Sequence, residues 1–136
     1  MADHTSSAIV RDSGPGSLSV EVATAGQVFP GDEPIEAGGA GRGPSPYDLL
    51  CAALATCTTM TLRLYADRKS WPLAHVAVSV EHEKDPAATP PDMFHRIVTL
   101  SGDLDEDQRA RLLQIAERCP VHRTLTGGSR IETRTG

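Results

Sequence analysis

The sequence is poor in aromatic residues and has no excess of positive charge. Only 4% of its 136 residues are aromatic, so a hydrophobic core must be built from Leu, Val, Ala and Met. The formal net charge of −5 argues against nonspecific nucleic-acid binding, which needs a basic face. The length suffices for one domain and not for two, which predicts a single domain over residues 1–136.

The sequence also lacks the apolar runs of targeted or membrane-inserted proteins. Residues 1–14 hold no apolar run, so no signal peptide is expected. No stretch approaches the roughly 18 apolar residues that a membrane span needs. The three cysteines are an odd number, which does not suit a secreted disulfide scaffold. We therefore expect a cytoplasmic protein with no membrane partner, whose cysteines are buried thiols, metal ligands or redox groups.

Alternating apolar residues predict strands, and capping residues with helix formers predict helices. The predicted strands lie at about 8–10, 17–22, 76–81, 94–100 and 131–133, and the helices at about 46–69, 105–118 and 121–125. The strands near 76–81 and 94–100 are expected to form a hairpin. The N-terminal strands then cover about residues 8–36 and the core about residues 40–126. Strands followed by a long helix, strands and a helix indicate an α+β fold.

The strongest local signal is a helix start at residues 45–48. Ser45 is a favoured N-cap, Pro46 suits the first helical position, and Asp48 stands where a capping box places an acidic residue. Residues 49–61 carry no charge, so this helix must be covered on most sides. A partner subunit is the simplest cover for a domain of this size.

Two of the three cysteines have different expected chemistry. Cys57 lies inside the uncharged helix, where a buried and inert thiol is the ordinary outcome. Cys119 begins a Cys-Pro-Val-His run at residues 119–122, and a thiol at a helix N-terminus beside His and Arg is favoured as thiolate. A helix-ending Cys-Pro followed by a solvated His is the alternative. Cys51 lies about 9 Å along the helix from Cys57, too far for a disulfide. The spacing does not fix whether Cys57 and Cys119 meet.

Other chemistries have less support. Cys119 and His122 supply two ligands, whereas structural zinc takes four, so no metal is expected. No nucleophile elbow supports a Ser-His-Asp triad. Asp48 is nine residues before Cys57 and about half a turn around the helix from it, so it cannot reach that thiol within its own chain. No cofactor is expected.

Four segments resemble the OsmC/Ohr family, the osmotically inducible and organic hydroperoxide resistance proteins. They are residues 43–50, residues 52–62 with Cys57, residues 65–69, and residues 115–122 with Cys119. The resemblance covers residues 40–126 well and is closest to the OsmC-like branch. It implies antiparallel sheets around a long central apolar helix, in an intertwined homodimer with two sites at its interface.

The resemblance also implies a thiol peroxidase. The cysteine that matches Cys57 attacks an organic hydroperoxide and becomes a sulfenic acid. The cysteine that matches Cys119 resolves the sulfenic acid to a disulfide, which a small dithiol then reduces. A resolving thiol of this kind protects the first cysteine from overoxidation.

The family activates the first cysteine with an arginine from the N-terminal strands and a glutamate. The arginine matches Arg11 best, with Arg42 and Arg63 as other candidates. The position of the glutamate holds Tyr47, and Asp48 is one residue out of register. We expect Tyr47 and Asp48, together with His122 after the second cysteine, to contribute to binding the substrate.

Two functions follow as hypotheses. The first is a dimeric thiol peroxidase in oxidative stress defence, acting on organic hydroperoxides through Cys57 and Cys119. The second is a non-enzymatic module on the same fold, which binds a small apolar or thiol ligand. Tyr47 at the glutamate position and the apolar surroundings of Cys57 favour the second.

Overall fold

Strands come first in the chain, followed by one long helix, a hairpin and two shorter helices. This order, with antiparallel pairing throughout, confirms the predicted α+β class. The computed structural model describes residues 5–136. The expectation that residues 1–14 form no signal peptide therefore lies partly outside the described residues, at positions 1–4. The chain divides into two compact units, residues 1–50 and 51–136. The single domain over residues 1–136 stays a prediction.

The N-terminal unit contains a three-stranded antiparallel sheet. Its strands are β1 (Ile9–Asp12), β2 (Val20–Thr24) and β3 (Gln27–Gly31), in the order β1-β2-β3. Ala25 and Gly26 join β2 to β3 and both have positive φ, as a two-residue type I′ turn requires. The strand predicted at residues 17–22 therefore begins later, at Val20.

The glycine-rich loop after β3 is held by a buried carboxylate. Asp32 is 4% exposed and accepts backbone N–H bonds from Glu33, Ala40 and Arg42. A Cβ at Gly39 would lie 1.9 Å from the Glu33 carbonyl oxygen, so the backbone can approach this closely only because Gly39 has no side chain. Gly39 therefore serves close packing of the backbone in this loop.

The long helix α1 spans Pro46–Lys69. Its start is the predicted capping box: the Asp48 amide donates to Ser45 Oγ at 3.1 Å, and the Ser45 amide donates to the Asp48 carboxylate at 2.9 Å. At 1.5 Å per residue, its 24 residues span about 36 Å. One stripe of the helix is buried, consisting of Leu54, Cys57, Thr58, Leu62 and Ala66.

The other faces of α1 keep apolar side chains exposed, including Met60 at 66% and Leu64 at 49%. An 18-residue window of α1 has a mean hydropathy of 1.4, which meets the length and composition of a membrane span. The expectation that no stretch approaches this length is therefore wrong. One helix of this kind is weak evidence for a span, because the core helix of a soluble protein has the same properties.

The C-terminal unit is built on the predicted hairpin. Strand β4 (Leu73–Lys84) pairs with β5 (Asp92–Gly102) in antiparallel register. Helix α2 (Glu106–Ala116) begins at Asp105, which forms a capping box with Gln108. Helix α3 follows as Pro120–Gly127. The strand predicted at residues 131–133 is wrong, since these residues have no regular structure and Ile131 is 90% exposed.

Two clusters of buried side chains form the core of this unit. The larger cluster joins α1, β4 and α2, and consists of Leu62, Ala66, Leu73, Leu104, Leu112, Ile115 and Ala116. The smaller cluster consists of Leu54, Cys57 and Cys119, with Val80, Phe94, Val121 and Leu125 packed against it.

Candidate active site

The C-terminal unit brings Cys57 and Cys119 together, although 62 residues separate them in the sequence. Both side chains are buried, at 9% and 0% exposed, and both thiols are free. The two thiols are hydrogen-bonded to each other. Cys51, the third cysteine, is half-buried and belongs to neither core cluster. The fold therefore forms the thiol pair that the spacing alone left open.

The N-terminus of α3 supplies backbone N–H groups to both sulfurs. Cys119 is the N-cap residue, and its Sγ accepts the N–H of His122 at 3.4 Å. The Val121 N–H donates to Cys57, and the Thr61 hydroxyl on α1 is also hydrogen-bonded to it. Proline at the first position of α3 costs no hydrogen bond there, because the first N–H groups of a helix have no partner within it.

These surroundings raise the pKa of the Cys57 thiol overall. Burial is the largest cause, and the hydrogen bond and charge of Cys119 act in the same direction. The Val121 N–H and the Thr61 hydroxyl act against them, because each stabilises the thiolate. Cys57 is therefore a protonated thiol at neutral pH, with two donors already in place for its thiolate.

A network centred on Arg96 of β5 lies next to the thiol pair. The Arg96 guanidinium donates to Thr58 Oγ1 at 3.1 Å, to a Glu117 carboxylate oxygen at 3.3 Å and to His122 Nδ1 at 3.2 Å. Its side chain is only 12% exposed, whereas that of Glu117 is 64% exposed. Thr58 is fully buried and donates in turn to the Leu54 carbonyl, so both its donor and its acceptor are used.

This network fixes the tautomer of His122. A guanidinium can only donate, so the Nδ1 atom facing Arg96 must accept, which places the ring proton of a neutral imidazole on Nε2. Nε2 lies 3.2 Å from a carboxylate oxygen of Glu117. The assignment follows from the hydrogen-bond partners. His122 thus contributes its backbone N–H to Cys119 and its ring to the Arg96 network.

A cavity of about 740 Å³ opens beside this network. Its polar wall is formed by Arg96, Glu117 and His122, with Asp92 and Thr126. Its remaining lining is mostly apolar: Leu54, Pro90, Met93, Phe94, Val98, Leu113, Ala116 and Leu125. An apolar cavity with a few convergent polar groups is typical of a small-molecule site.

The other predicted site residues lie in the N-terminal unit or at the start of α1. Arg11 lies on β1 opposite Glu21, and its role stays a prediction. Tyr47 occupies the first turn of α1 and is 42% exposed. Asp48 forms the capping box with Ser45, which explains its position without chemistry. The roles of Tyr47 and Asp48 in binding stay predictions.

The two other candidate arginines have structural partners. Arg42 is held through its backbone by the Asp32 carboxylate. Arg63 pairs with Asp67 at 3.4 Å and donates to the carbonyls of residues 73 and 74, at the start of β4. The guanidinium of Arg63 therefore joins α1 to the hairpin.

Sequence reasoning missed Arg96, Thr58 and Glu117. A signal for Arg96 was present, because the alternation of β5 places it in the same register as Phe94 and Val98, which face inward. A charged residue in the buried register of a strand needs a partner. Glu117 carried no such signal, since it stands at the exposed end of α2.

A second set of ionisable groups bridges the hairpin near the cavity. His82 Nε2 lies 2.8 Å from the Asp92 carboxylate, and Lys84 lies 3.6 Å from it. The hydrogen bond with His82 is the main cause that lowers the pKa of Asp92. Across residues 5–136, no group of three or more His, Cys, Asp or Glu side chains is placed to hold a metal ion.

The described residues combine an antiparallel α+β fold with a buried pair of thiols and a neighbouring cavity. The sequence model of the family described as OsmC-like protein matches residues 38–134, which is more than half of the chain. The chain therefore belongs to the OsmC-like protein family. Comparison with curated proteins gave no match.

Solved structures of this family share the fold. An OsmC-like protein from Mycoplasma pneumoniae is 18% identical with a TM-score of 0.75, covering 93% of this chain and 90% of that chain. An organic hydroperoxide resistance protein OsmC from Legionella pneumophila is 22% identical, with a TM-score of 0.72 and 93% of each chain covered. The organic hydroperoxide resistance protein OhrB of Bacillus subtilis is 21% identical with a TM-score of 0.63, covering 91% and 92%. At these identities the likeness concerns the fold.

Proposed function

We propose that the protein is a thiol-dependent peroxidase that reduces organic hydroperoxides in oxidative stress defence. The hydrogen-bonded pair of buried free thiols, Cys57 and Cys119, is the observation that carries this proposal. Family membership and the description of two structural relatives as organic hydroperoxide resistance proteins support it. Cys57 is the nucleophile and Cys119 the resolving thiol.

The reaction proceeds in three balanced steps. The Cys57 thiolate attacks the peroxide oxygen, the O–O bond breaks, and the leaving alkoxide takes a proton to become an alcohol. Cys57 is then a sulfenic acid, and Cys119 displaces its oxygen as water to form a disulfide. A small dithiol supplies the two electrons that reduce the disulfide. These three steps balance without a metal or other cofactor.

The environment of Cys57 keeps the thiol mostly protonated at neutral pH and also stabilises the thiolate once it forms. Because burial raises its pKa, few molecules carry the thiolate at neutral pH. The N–H of Val121 and the hydroxyl of Thr61 are already aimed at the sulfur, so the thiolate is stabilised without rearrangement when it forms. The adjoining cavity is apolar over most of its surface and suits the organic part of a hydroperoxide. Arg11, Tyr47 and Asp48 are the further candidates for activation and binding.

We also propose that the protein acts as a cytoplasmic homodimer. The apolar side chains of Met60 and Leu64 on α1 are 66% and 49% exposed, and a second copy of the chain would cover them. The acidic composition, with a net charge of −5, argues against a nucleic-acid partner. Dimer mass by light scattering, and its loss in a Met60→Glu variant, would test this assembly.

Peroxide consumption by the purified protein tests the proposed function. The assay uses cumene hydroperoxide with dihydrolipoamide or dithiothreitol as the reductant. Cys57→Ser should abolish consumption, and Cys119→Ser should abolish the disulfide and let Cys57 overoxidise. Cys51→Ser is the matched control and should retain full activity. A wild-type protein that consumes no cumene hydroperoxide with either dithiol refutes the proposal.

A non-enzymatic ligand-binding module is the second candidate. The raised pKa of Cys57 and the mostly apolar cavity favour it. It predicts slow alkylation of Cys57 by iodoacetamide and no disulfide after peroxide treatment. Rapid linkage of Cys57 to Cys119 by one equivalent of peroxide, seen by non-reducing mass spectrometry, would rule it out.

A further inference from the structure

Arg96 holds an unusual position for a charged side chain. It lies in the inward register of β5 and is only 12% exposed, yet only one carboxylate, that of the largely exposed Glu117, is paired with it among the described residues. Its other two acceptors are neutral: the Thr58 hydroxyl at 3.1 Å and the His122 ring nitrogen at 3.2 Å. A largely buried guanidinium with acceptors on two separate segments of the chain suggests a role beyond one ion pair.

The acceptors of Arg96 all belong to the segments that carry the two thiols. Thr58 directly follows Cys57 on α1. Glu117 and His122 stand on either side of Cys119, and the His122 N–H itself donates to the Cys119 sulfur at 3.4 Å. One side chain on β5 therefore ties the Cys57 segment and the Cys119 segment to the same point.

We propose that Arg96 is a positioning residue that holds the Cys119 segment against Cys57 and so controls how readily the disulfide forms. The biological use of this control rests on the proposed peroxidase function, but the disulfide equilibrium exists without it. Arginine suits this task because its planar guanidinium offers five N–H donors in a fixed fork. A lysine ammonium is a single point and cannot span the same three acceptors in one geometry.

The step that Arg96 controls is the second of the reaction. Cys119 Sγ forms a bond to Cys57 Sγ of the sulfenic acid, the S–O bond breaks, and the oxygen leaves as water with the thiol proton. The hydrogen bonds of Arg96 go to Thr58, Glu117 and His122 and not to either sulfur. Attack of Cys57 on the peroxide forms no bond to Cys119. The Cys119 segment affects this step only through the Val121 N–H and the Cys119 thiol, which shift the pKa of Cys57 in opposite directions, so sulfenic acid formation should change much less than disulfide formation.

The test compares Arg96→Met, which keeps the length and loses the donors, with Arg96→Lys. Arg109→Met is the matched control, because Arg109 also joins a helix to β5, through the carbonyls of Leu100 and Gly102, and contacts neither thiol segment. The equilibrium constant of the Cys57–Cys119 disulfide is measured in glutathione redox buffers. Rapid-quench mass spectrometry after one equivalent of cumene hydroperoxide separates sulfenic acid formation from disulfide formation.

Arg96→Met should lower the disulfide equilibrium constant by at least about tenfold, the lower end of the factor that one hydrogen bond to a charged group represents. Disulfide formation should slow by a similar factor, while sulfenic acid formation stays within about twofold. Arg96→Lys should fall between Arg96→Met and the wild type, and Arg109→Met should match the wild type. A merely structural arginine would lower the melting temperatures of the reduced and oxidised forms equally and leave the equilibrium constant unchanged, which would overturn the proposal.

Equal slowing of both steps in Arg96→Met would also overturn it. If Arg96→Met does not fold, Arg96→Lys and Glu117→Gln carry the test, since Glu117 is largely exposed and its exchange leaves the core intact. Both should shift the equilibrium constant in the same direction as predicted for Arg96→Met, and no shift in either refutes the proposal. A wild type that forms the disulfide in glutathione buffer but consumes no peroxide would refute the peroxidase function alone.

Discussion

The reactivity of Cys57 should rise steeply with pH and show no plateau near neutrality. The structure raises the pKa of this thiol above its ordinary value, chiefly because the sulfur is buried. Below its pKa, the thiolate fraction of any thiol increases about tenfold for each pH unit. Between pH 7.0 and pH 8.5 the rate of alkylation should therefore increase about 30-fold. The ratio of rates is independent of how accessible the sulfur is, because accessibility is the same at each pH.

The causes of the raised pKa predict opposite effects for two substitutions. Cys119→Ala removes a hydrogen bond and a charge that raise the pKa of Cys57, so alkylation at pH 8 should become faster. Thr61→Val preserves the shape of the side chain but removes a hydrogen bond that lowers the pKa, so alkylation should become slower. Iodoacetamide labelling followed by peptide mass spectrometry measures both, in a Cys51→Ala background that leaves one thiol in that peptide. A rate that levels off below pH 8, or a reversal of the two signs, would contradict this account of the thiol.

Three further predictions concern stability. Leu112→Ala should lower the free energy of unfolding in urea by about 2–5 kcal/mol, since this side chain is 0% exposed in the larger core cluster, whereas Leu113→Ala at a 53% exposed position should cost less than about 1 kcal/mol. Asp32→Ala should lower it by about 2 kcal/mol or more, because three backbone N–H groups lose their charged acceptor, and a change within 0.5 kcal/mol would count against that role. The folded-state pKa of Asp92 is lowered, so the stability that this carboxylate contributes is present above its ordinary pKa of 3.8 and is lost as pH falls through the lower folded value. Thermal unfolding of Asp92→Asn below pH 3.8 should therefore depend less on pH than that of the wild type.

The elements that sequence reasoning located best are those with local signals. Ser45, Pro46 and Asp48 specify the start of α1 because they lie within one turn of each other. The structure has the predicted capping box between Ser45 and Asp48. The hairpin of β4 and β5 follows from alternation that a half-buried strand must have. The predicted strand at residues 131–133 had the composition of a strand but needed a distant pairing partner, and the chain offers it none among the described residues.

The site was less predictable because its contacts join distant segments. Arg96 reaches Thr58 across 38 residues and His122 across 26, and no local pattern encodes either distance. The family resemblance identified both cysteines, but the arginines that it indicated, Arg11, Arg42 and Arg63, all lie in the N-terminal half of the chain. The alternation of β5 places the charged Arg96 in the inward register, and a buried charge needs partners, so the existence of a polar network was predictable although its members were not.

The sulfur of Cys119 has two tasks that cannot be separated. It is one half of the thiol pair, and it is also the N-cap acceptor of α3. We expect a disulfide bond from this atom to Cys57 to compete with its contact to the His122 amide. Oxidation would then loosen the first turn of α3. The redox state of the thiol pair would therefore control how well the C-terminal segment is ordered. Faster tryptic cleavage after Arg123 in the oxidised form than in the reduced form would show this coupling.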